Sequence, residues 1–397
     1  MLTLNSGSSS LKFAIYPTTG DDALPLIRGK VSGIGRQPEF QAIGQDGLID
    51  AMNELKDIPS KASHEWIIER LLEGLLLNFG NMHPVAVGHR VVHGGREFVG
   101  PVLVDEAVRE KLGELSRLAP SHQPHNLAAI DAIGKIVPDI KQVACFDTSF
   151  HRSQPRLAQL YGLPRRLTDE GVVRYGFHGL SYEYITKTLR SQNVAGSNGR
   201  VIVAHLGNGA SMCAMKNYKS MATTMGFTAL DGLLMGRRCG ALDPGVVIDL
   251  LQNHGLSVSE LQHLLYRESG LLGVSGVSNN MHVLEGSDHP DAREAIELYC
   301  YRAAREIGSL AAAIGGLDVL VFTAGIGENS ELVRRLICEQ SGWLGIELDD
   351  VANQSNAEKV SSGASRVDVW VIPTDEEAVI FSSTIELIGS QPATLSN

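Results

Sequence analysis

MLTLNSGSSSLKFAIY, residues 1–16, is the stretch on which the fold turns. Residues 2–4 read as a strand, residues 5–9 as a Gly/Ser turn, and residues 12–16 as a second strand. Gly7 permits backbone angles that bring amides close to a ligand. The hydroxyls of Ser8, Ser9 and Ser10 and the ammonium of Lys12 follow at once. Amides, hydroxyls and a cation gathered at one hairpin tip suit a phosphate group. The spacing is not that of a P-loop, because no G-x-x-x-x-G-K-[ST] follows. The alternative is an ordinary hairpin with a polar tip, and the rest of the chain must decide.

Working outward, the same pattern returns in the second half. Residues 201–206 read as an apolar strand, Gly207-Asn208-Gly209 as a turn, and residues 211–216 as a second strand ending in Lys216. Strand, Asn and Gly in a turn, Ser, strand, Lys is a weak internal repeat of the kind two duplicated halves leave behind. Around these hairpins, strand patterns at residues 26–31, 39–43, 85–92, 142–146, 319–322 and 367–372 alternate with helical ones. The helical segments are 65–79, 106–118, 126–136, 245–254, 258–267 and 291–315, recognised by apolar spacing. Ser257 and Glu260 form a capping-box signature before one of them. Alternation of this kind implies an α/β architecture. The restart of the pattern places the expected domains at 1–147 with 378–397, and at 148–377, and the tail after Ile388 reads as frayed.

At 397 residues, 43% hydrophobic and 20% charged, the chain has the composition of a soluble globular protein with a large core. The net charge of -11 argues against a general nucleic-acid binder. Five scattered cysteines without a C-x-x-C pair suggest reduced thiols in a cytoplasmic protein. There is no signal-peptide pattern and no apolar run of membrane-spanning length, so no membrane partner is expected.

Polar residues flanked by glycine stand at several strand ends, where open α/β sheets bind ligands. Arg90, in GHRVVHGG, reads either as a buried ion pair or as a bidentate anchor for a carboxylate or phosphate. Arg237 and Arg238 lie between glycines in MGRRCG. His122, His178 and His205 sit in Gly- or Pro-rich loops, and a histidine there can stabilise charge on a transferring phosphoryl group. Asp147 and Glu376 each follow an apolar strand, an arrangement that suits Mg2+ held with water and phosphate oxygens. Thr374 and Glu377 have the spacing of a capping box, which favours Glu376 over Glu377 as the metal residue. TAGIGEN, residues 323–329, lies between a strand and a helix and offers close backbone approach to a phosphate or base.

Taken together, LNSGSSSLKF, GHRVVHGG, CFDTSFH, YGFHGLSYEY, HLGNGAS, MGFTALDGLLMGRRCGALDPG, GLLGVSG, FTAGIGENS and TDEE resemble one family, the acetate kinases of the acetate and sugar kinase, Hsc70 and actin superfamily. The resemblance runs in order from Leu4 to about Ile380. It implies duplicated actin-like (ribonuclease H-like) ATPase domains with a cleft between them. It also implies a homodimer and reversible transfer of the ATP γ-phosphoryl group to acetate, giving acetyl phosphate and ADP. Mg2+ would be the metal, with Mn2+ as the alternative ion.

By the same resemblance, Asn5 and Glu376 belong to the metal site, and Ser8, Ser10 and Lys12 to the phosphates. Asp147, His178, Arg238, Arg90 and His122 form the transfer site, with His178 as the transition-state stabiliser. Arg90, Val92, Ser121, Phe177 and Ala229 surround the carboxylate substrate. His205, Leu206, Gly207, Asn208, Gly209, Asn280, Met281, His282, Gly325, Ile326, Gly327 and Asn329 fall in the nucleotide region. The chemistry agrees: a carboxylate with a pKa of about 4 is already ionised and needs no general base. What is needed is neutralisation and in-line placement of two anions.

The chain departs from the family pattern at several positions. Ser121 stands where Leu is usual, Gln123 for Asn, Ala222 for Asp, Ala229 for Pro, Asn280 for Asp, His282 for Arg and Asp375 for Asn. A pocket opened at Ser121 and Ala229 leaves propionate or another short acid as the alternative substrate, since one methylene is worth only roughly 1–3 kcal/mol. Asn280 and His282 leave the nucleotide base, and a donor other than ATP, open. An actin-like ATPase acting as a binding module, and a phosphatase of the same fold, are the readings from other classes. Neither gives Arg90 and Arg238 an anionic acceptor to hold.

Overall fold

The opening hairpin is longer than its sequence pattern suggests. In the computed structural model β1 (Leu2–Ser6) pairs antiparallel with β2 (Ser10–Ile15), the pairing running from Leu2 opposite Ile15 to Ser6 opposite Leu11. The Gly7 amide donates to Ser10 O at 2.8 Å across it. The structure describes residues 1–7, 10–18, 24–44, 47–48, 55, 57–78, 84–120 and 122–389; Ser8, Ser9, Ser121 and the tail from 390 lie outside them.

β3 (Ile27–Ser32), β4 (Glu39–Gly44), β5 (Gly47–Leu48), β6 (Ala86–Val91), β7 (Val102–Leu103) and β8 (Lys141–Phe146) complete an eight-stranded sheet of order β5-β4-β3-β2-β1-β6-β8-β7. A second sheet has β9 (Arg200–Leu206), β10 (Ala210–Lys216), β11 (Lys219–Thr223), β12 (Val319–Thr323) and β13 (Asp368–Val371) in the order β11-β10-β9-β12-β13. The repeat seen in sequence is here a repeat of topology. β3-β2-β1 and β11-β10-β9 are both antiparallel meanders. β1-β6-β8 and β9-β12-β13 are both parallel. The chain is therefore two α/β units of the duplicated actin-like type. Their central strands are buried on both faces, which is why β9 and β12 read as unbroken apolar runs.

The chain divides into Met1–Ser149 with Asp375–Asn397, and Phe150–Thr374. The return junction thus falls before Asp375, not after Glu377. The reason is local: Asp375 pairs with Arg28, and the Glu376 and Glu377 carboxylates accept from Asn5 at 3.0 and 3.3 Å. In the first unit the helices His64–Asn78 and Gln123–Ile136 cover one sheet face, with Ile67, Ile68, Leu71, Ala129 and Ile133 packed on Leu2, Leu4, Leu11 and Phe13. The helix Glu376–Gly389 contributes Phe381, whose ring stacks on Tyr16 at 4.3 Å. In the second unit the helix Gly179–Ser191 places Tyr182, Ile185 and Leu189 on Val201, Val203, Cys213 and Val321. The helix Pro290–Ile314 also contacts this sheet.

Two further expectations are corrected. The Thr374–Glu377 capping box does not form. Asp375 is the residue that accepts the Ala378 amide (3.0 Å), and the buried Thr374 hydroxyl has no hydrogen-bond partner among the described residues. TAGIGEN is not a turn ahead of a helix: Ala324–Asn329 is itself a short helix, entered through Ala324 at φ 63°. The Ser257–Glu260 capping box is present.

Candidate functional site

In the first unit, strand ends deliver charge. Arg90 sits in β6 beside β1 and β8, and Asp147 follows β8 directly. The Arg90 guanidinium meets Asp147 through Nε–Oδ1 at 3.0 Å and Nη2–Oδ2 at 2.5 Å, and donates through Nη1 to Asn5 Oδ1 at 3.0 Å. Asn5 Nδ2 in turn donates to Glu376, whose carboxylate lies 3.9 Å from Arg90 Nε. Four sequence-predicted residues thus form one connected cluster. The ion pair weighed as the alternative for Arg90 exists, and its partner is Asp147.

Burial opposes the Arg90 charge, but the Asp147 and Glu376 carboxylates outweigh it and hold the guanidinium above its ordinary value. Burial pushes the Asp147 carboxyl up, and Arg90 acts against that. Burial likewise raises Glu377, Lys12 opposes it, and the neighbouring Glu376 adds to it. Lys12 stands directly opposite Asn5 in the hairpin register.

The turn is held from behind. Asn126 Nδ2 donates to Ser6 O at 2.6 Å while its Oδ1 accepts the Val92 amide, and His64 Nε2 lies 2.7 Å from Gly7 O. Gln123, fully buried, braces His93 through both its amide atoms and also reaches Leu112 O. His122 precedes the helix Gln123–Ile136, its amide donating to Ala119 O at 3.0 Å. Val92 is buried in this unit, whereas Phe177 and Ala229 belong to the other; Ser121 and Ser8 lie outside the described residues.

The donors suit Mg2+, which takes hard oxygen ligands and usually keeps water. Both Asp147 oxygens are committed to Arg90, and the side chain is 1% exposed, so Glu376 at 13% is the reachable carboxylate. Among the described residues no group of three His, Cys, Asp or Glu forms a ready-made cage. One carboxylate with water and phosphate oxygens is the usual arrangement for this ion.

The second unit gathers histidines and an arginine around Gly209. The His178 ring stacks on His205 at 4.1 Å. His178 Nδ1 is 2.8 Å from Ser211 Oγ, which is 2.5 Å from the Tyr182 hydroxyl. His205 Nδ1 is 2.8 Å from Ser181 Oγ. A Cβ on Gly209 would lie 2.6 Å from Arg238 Nη2 and 3.4 Å from His178 Nε2, so any side chain there would displace the guanidinium. Arg238 Nη1 donates to the Ala229 carbonyl at 2.5 Å. His178 itself adopts φ 60°, an unusual conformation for a residue with a side chain. Such backbone persists where the surroundings over-determine it, often at functional sites. Phe177, next to it, is buried and its carbonyl lies 2.9 Å from His151 Nε2.

Beside this cluster the same unit holds a cavity of about 480 Å³. Gly207, Asn208, Asn280, Met281, His282, Gly325, Ile326 and Asn329, all singled out in the sequence, line it. Of the other nucleotide candidates, His205, Leu206, Gly209 and Gly327 are not among its lining residues. Asn279, Glu285 and Ser330 are, and were missed. Asn279 donates to Asn208 Oδ1 at 3.2 Å, and Glu285 is hydrogen-bonded to Ser330. Asn280 Oδ1 caps the helix Met281–Glu285 through the His282 amide at 3.0 Å. Ser181, Tyr182 and Ser211 were missed too. The signal was available for the first two, which stand three and four residues after His178, the spacing of one helix face.

Comparison with known proteins gives a consistent result. The sequence model of the Acetokinase family matches residues 1–382. An acetate kinase of Rhodopseudomonas palustris (strain TIE-1) is 53% identical over 387 residues, covering 96% of each chain. Among solved structures, a propionate kinase from Francisella tularensis has a TM-score of 0.88 at 35% identity, covering 96% of this chain and 98% of its own. An acetate kinase of Porphyromonas gingivalis has a TM-score of 0.86 at 35% identity, covering 98% and 99%.

Proposed function

We propose how this chain, which belongs to the acetokinase family, divides its reaction among the residues just described. The reaction is ATP-dependent phosphoryl transfer to a carboxylate acceptor, with Mg2+ as its metal. Acetate is the proposed acceptor and the transfer is direct, from the ATP γ-phosphoryl group to the carboxylate oxygen. The observation that carries this reading is the set of cationic and neutral donors around Gly209, adjoining a cavity lined by the predicted nucleotide segments.

The phosphoryl group passes from one anionic oxygen to another, so the protein supplies placement and charge compensation. Arg238 offers its guanidinium, held by the Ala229 carbonyl. In the tautomer in which Tyr182 donates to Ser211 and Ser211 to His178 Nδ1, the ring proton sits on Nε2, the ring nitrogen that faces Gly209. His178 then donates to an oxygen of the transferring group without changing its own charge. Arg90 holds the acceptor carboxylate, its orientation set by Asp147 and Asn5. Asp147 is a positioning residue, not a base, since an ionised acceptor has no proton to lose. Glu376 and Asn5 would hold Mg2+, which when bound would neutralise phosphate charge. Ser10 and Lys12 face the phosphates.

A short-chain acid larger than acetate is the second reading. The similar structures include a propionate kinase, and Ala229 is smaller than the usual proline. A homodimer is proposed as well. The helix Pro244–Gln252 has no buried residue and exposes Val246 at 41% and Ile248 at 53%, apolar area that a second copy would cover. A cytoplasmic location fits the free cysteines. No helix among the described residues is long and apolar enough to cross a membrane.

The deciding experiment is an acyl-hydroxamate assay with acetate, propionate and butyrate against ATP, GTP and pyrophosphate. Hydroxamate with acetate and ATP, in larger yield than with any other pair, is expected. Greater turnover of propionate moves the acceptor to the second reading, and no product with any pair overturns the proposal.

A further inference from the structure

The helix Ala324–Asn329 lines the cavity with Gly325, Ile326 and Asn329. At six residues it is too short to be secured by its own ladder. It begins at Ala324 with φ 63°, strained for a residue bearing a Cβ. Its last carbonyls need partners from outside. Ile326 O accepts the Ser330 amide and Gly325 O accepts Asn329 Nδ2, each at 2.9 Å. Gly327 O and Glu328 O both accept from Nη1 of Arg334, at 2.9 and 3.0 Å.

Arg334 is 0% exposed and does not line the cavity. Its remaining donors go to Asn353 Oδ1 (2.7 Å), Asn353 O (2.8 Å) and Asn356 Oδ1 (2.6 Å). Every one of these acceptors is neutral. Burial holds its pKa below the ordinary value, so the ion is costly where it lies. An apolar side chain would fill the space at lower cost. It would not hold two carbonyls at the end of this helix, where the helix dipole favours a cation.

We infer that Arg334 is the positioning residue of the nucleotide cavity, fixing the Ala324–Asn329 helix so that Gly325, Ile326 and Asn329 stay aimed at the nucleotide. This rests on the cavity being the nucleotide site. The rigid planar fork is what the position requires, because a lysine keeps the charge but offers one nitrogen to acceptors on two segments.

Arg334→Lys and Asn356→Gly test it; the glycine keeps the left-handed backbone of Asn356, φ 50°, and removes one acceptor. ADP binding is measured by calorimetry and ATP and carboxylate KM by steady-state kinetics, with circular dichroism establishing the folded fraction. Displacement of binding groups predicts an ADP Kd and ATP KM raised about tenfold in R334K and about threefold in N356G, with kcat and carboxylate KM within about twofold. If R334K does not fold, N356G decides. Unchanged ADP affinity in the folded variants, or a carboxylate KM raised as much as that for ATP, overturns the inference. Failure of the parent protein to bind ADP would instead overturn the nucleotide reading, and this inference with it.

Discussion

The two units repeat one sheet topology and use it in opposite ways. The strand ends of the first unit are closed on themselves: Arg90, Asp147, Asn5 and Glu376 are joined by ion pairs and hydrogen bonds. In the second unit the corresponding region presents rings and an arginine supported by hydroxyls and a carbonyl, next to an open cavity. Charge is balanced by charge in the first and by dipoles in the second. Removing one member should therefore damage stability in the first unit and turnover in the second.

The largest effect is expected at Arg90. In Arg90→Ala the Asp147 carboxylate, 1% exposed, loses its partner, which costs about 3–5 kcal/mol of stability. Arg90→Ala/Asp147→Asn should recover much of the stability in urea unfolding and none of the activity. An R90A protein as stable as the parent would dissolve the contrast between the units. His178 provides the opposite case. Asn tolerates the left-handed backbone at this position, so His178→Asn should fold normally. It should lose about 10²-fold in kcat, as for other removed transition-state donors, with ADP affinity nearly unchanged. A kcat within threefold of the parent would remove His178 from the transfer step.

Acid should separate the units more gently. Burial lowers His89 and His93 in the first unit, and His151 in the second, to about 4. These groups are neutral when folded and gain protons first in the unfolded chain. Their contribution is complete above the unfolded value of about 6.5 and is lost as pH falls from there through the folded value, by about 3 kcal/mol each at the limit. With two such histidines, the first unit should lose hydrogen-exchange protection ahead of the second between pH 6.5 and 4. The reverse order would mean that other groups dominate. The smallest effect belongs to Asp375→Asn. Arg28 is 45% exposed, and Asn caps a helix about as well as Asp, so the change in stability should stay under about 1 kcal/mol. A calorimetric loss above about 2 kcal/mol would show the pair to be more than a surface contact.

Much of this contrast was legible in the chain. Arg90 could be picked out as a charge inside an apolar strand and Asp147 and Glu376 as carboxylates just after one, whereas Asn5 came from the resemblance to the family. Of the segments lining the cavity, residues 323–329 could be picked out because their glycines allow close backbone approach, whereas Asn208 and Asn280–His282 came from the resemblance to the family. Hidden from the sequence were the residues one layer back, since Ser211, Asn126 and Arg334 act on atoms distant in the chain. The Thr374–Glu377 spacing misled because Asp375, one residue on, caps the helix in its place.

By itself, then, the order of motifs determined the family and the duplicated α/β plan, and it nominated the side chains of the candidate site. Periodicity and the cost of burying charge are properties of local sequence. Tertiary structure alone decided that Arg90 is paired with Asp147, that Asp375 is paired with Arg28, and that a buried arginine secures the Ala324–Asn329 helix. Each of these depends on which polar groups packing brings within hydrogen-bond distance, and no local pattern encodes that.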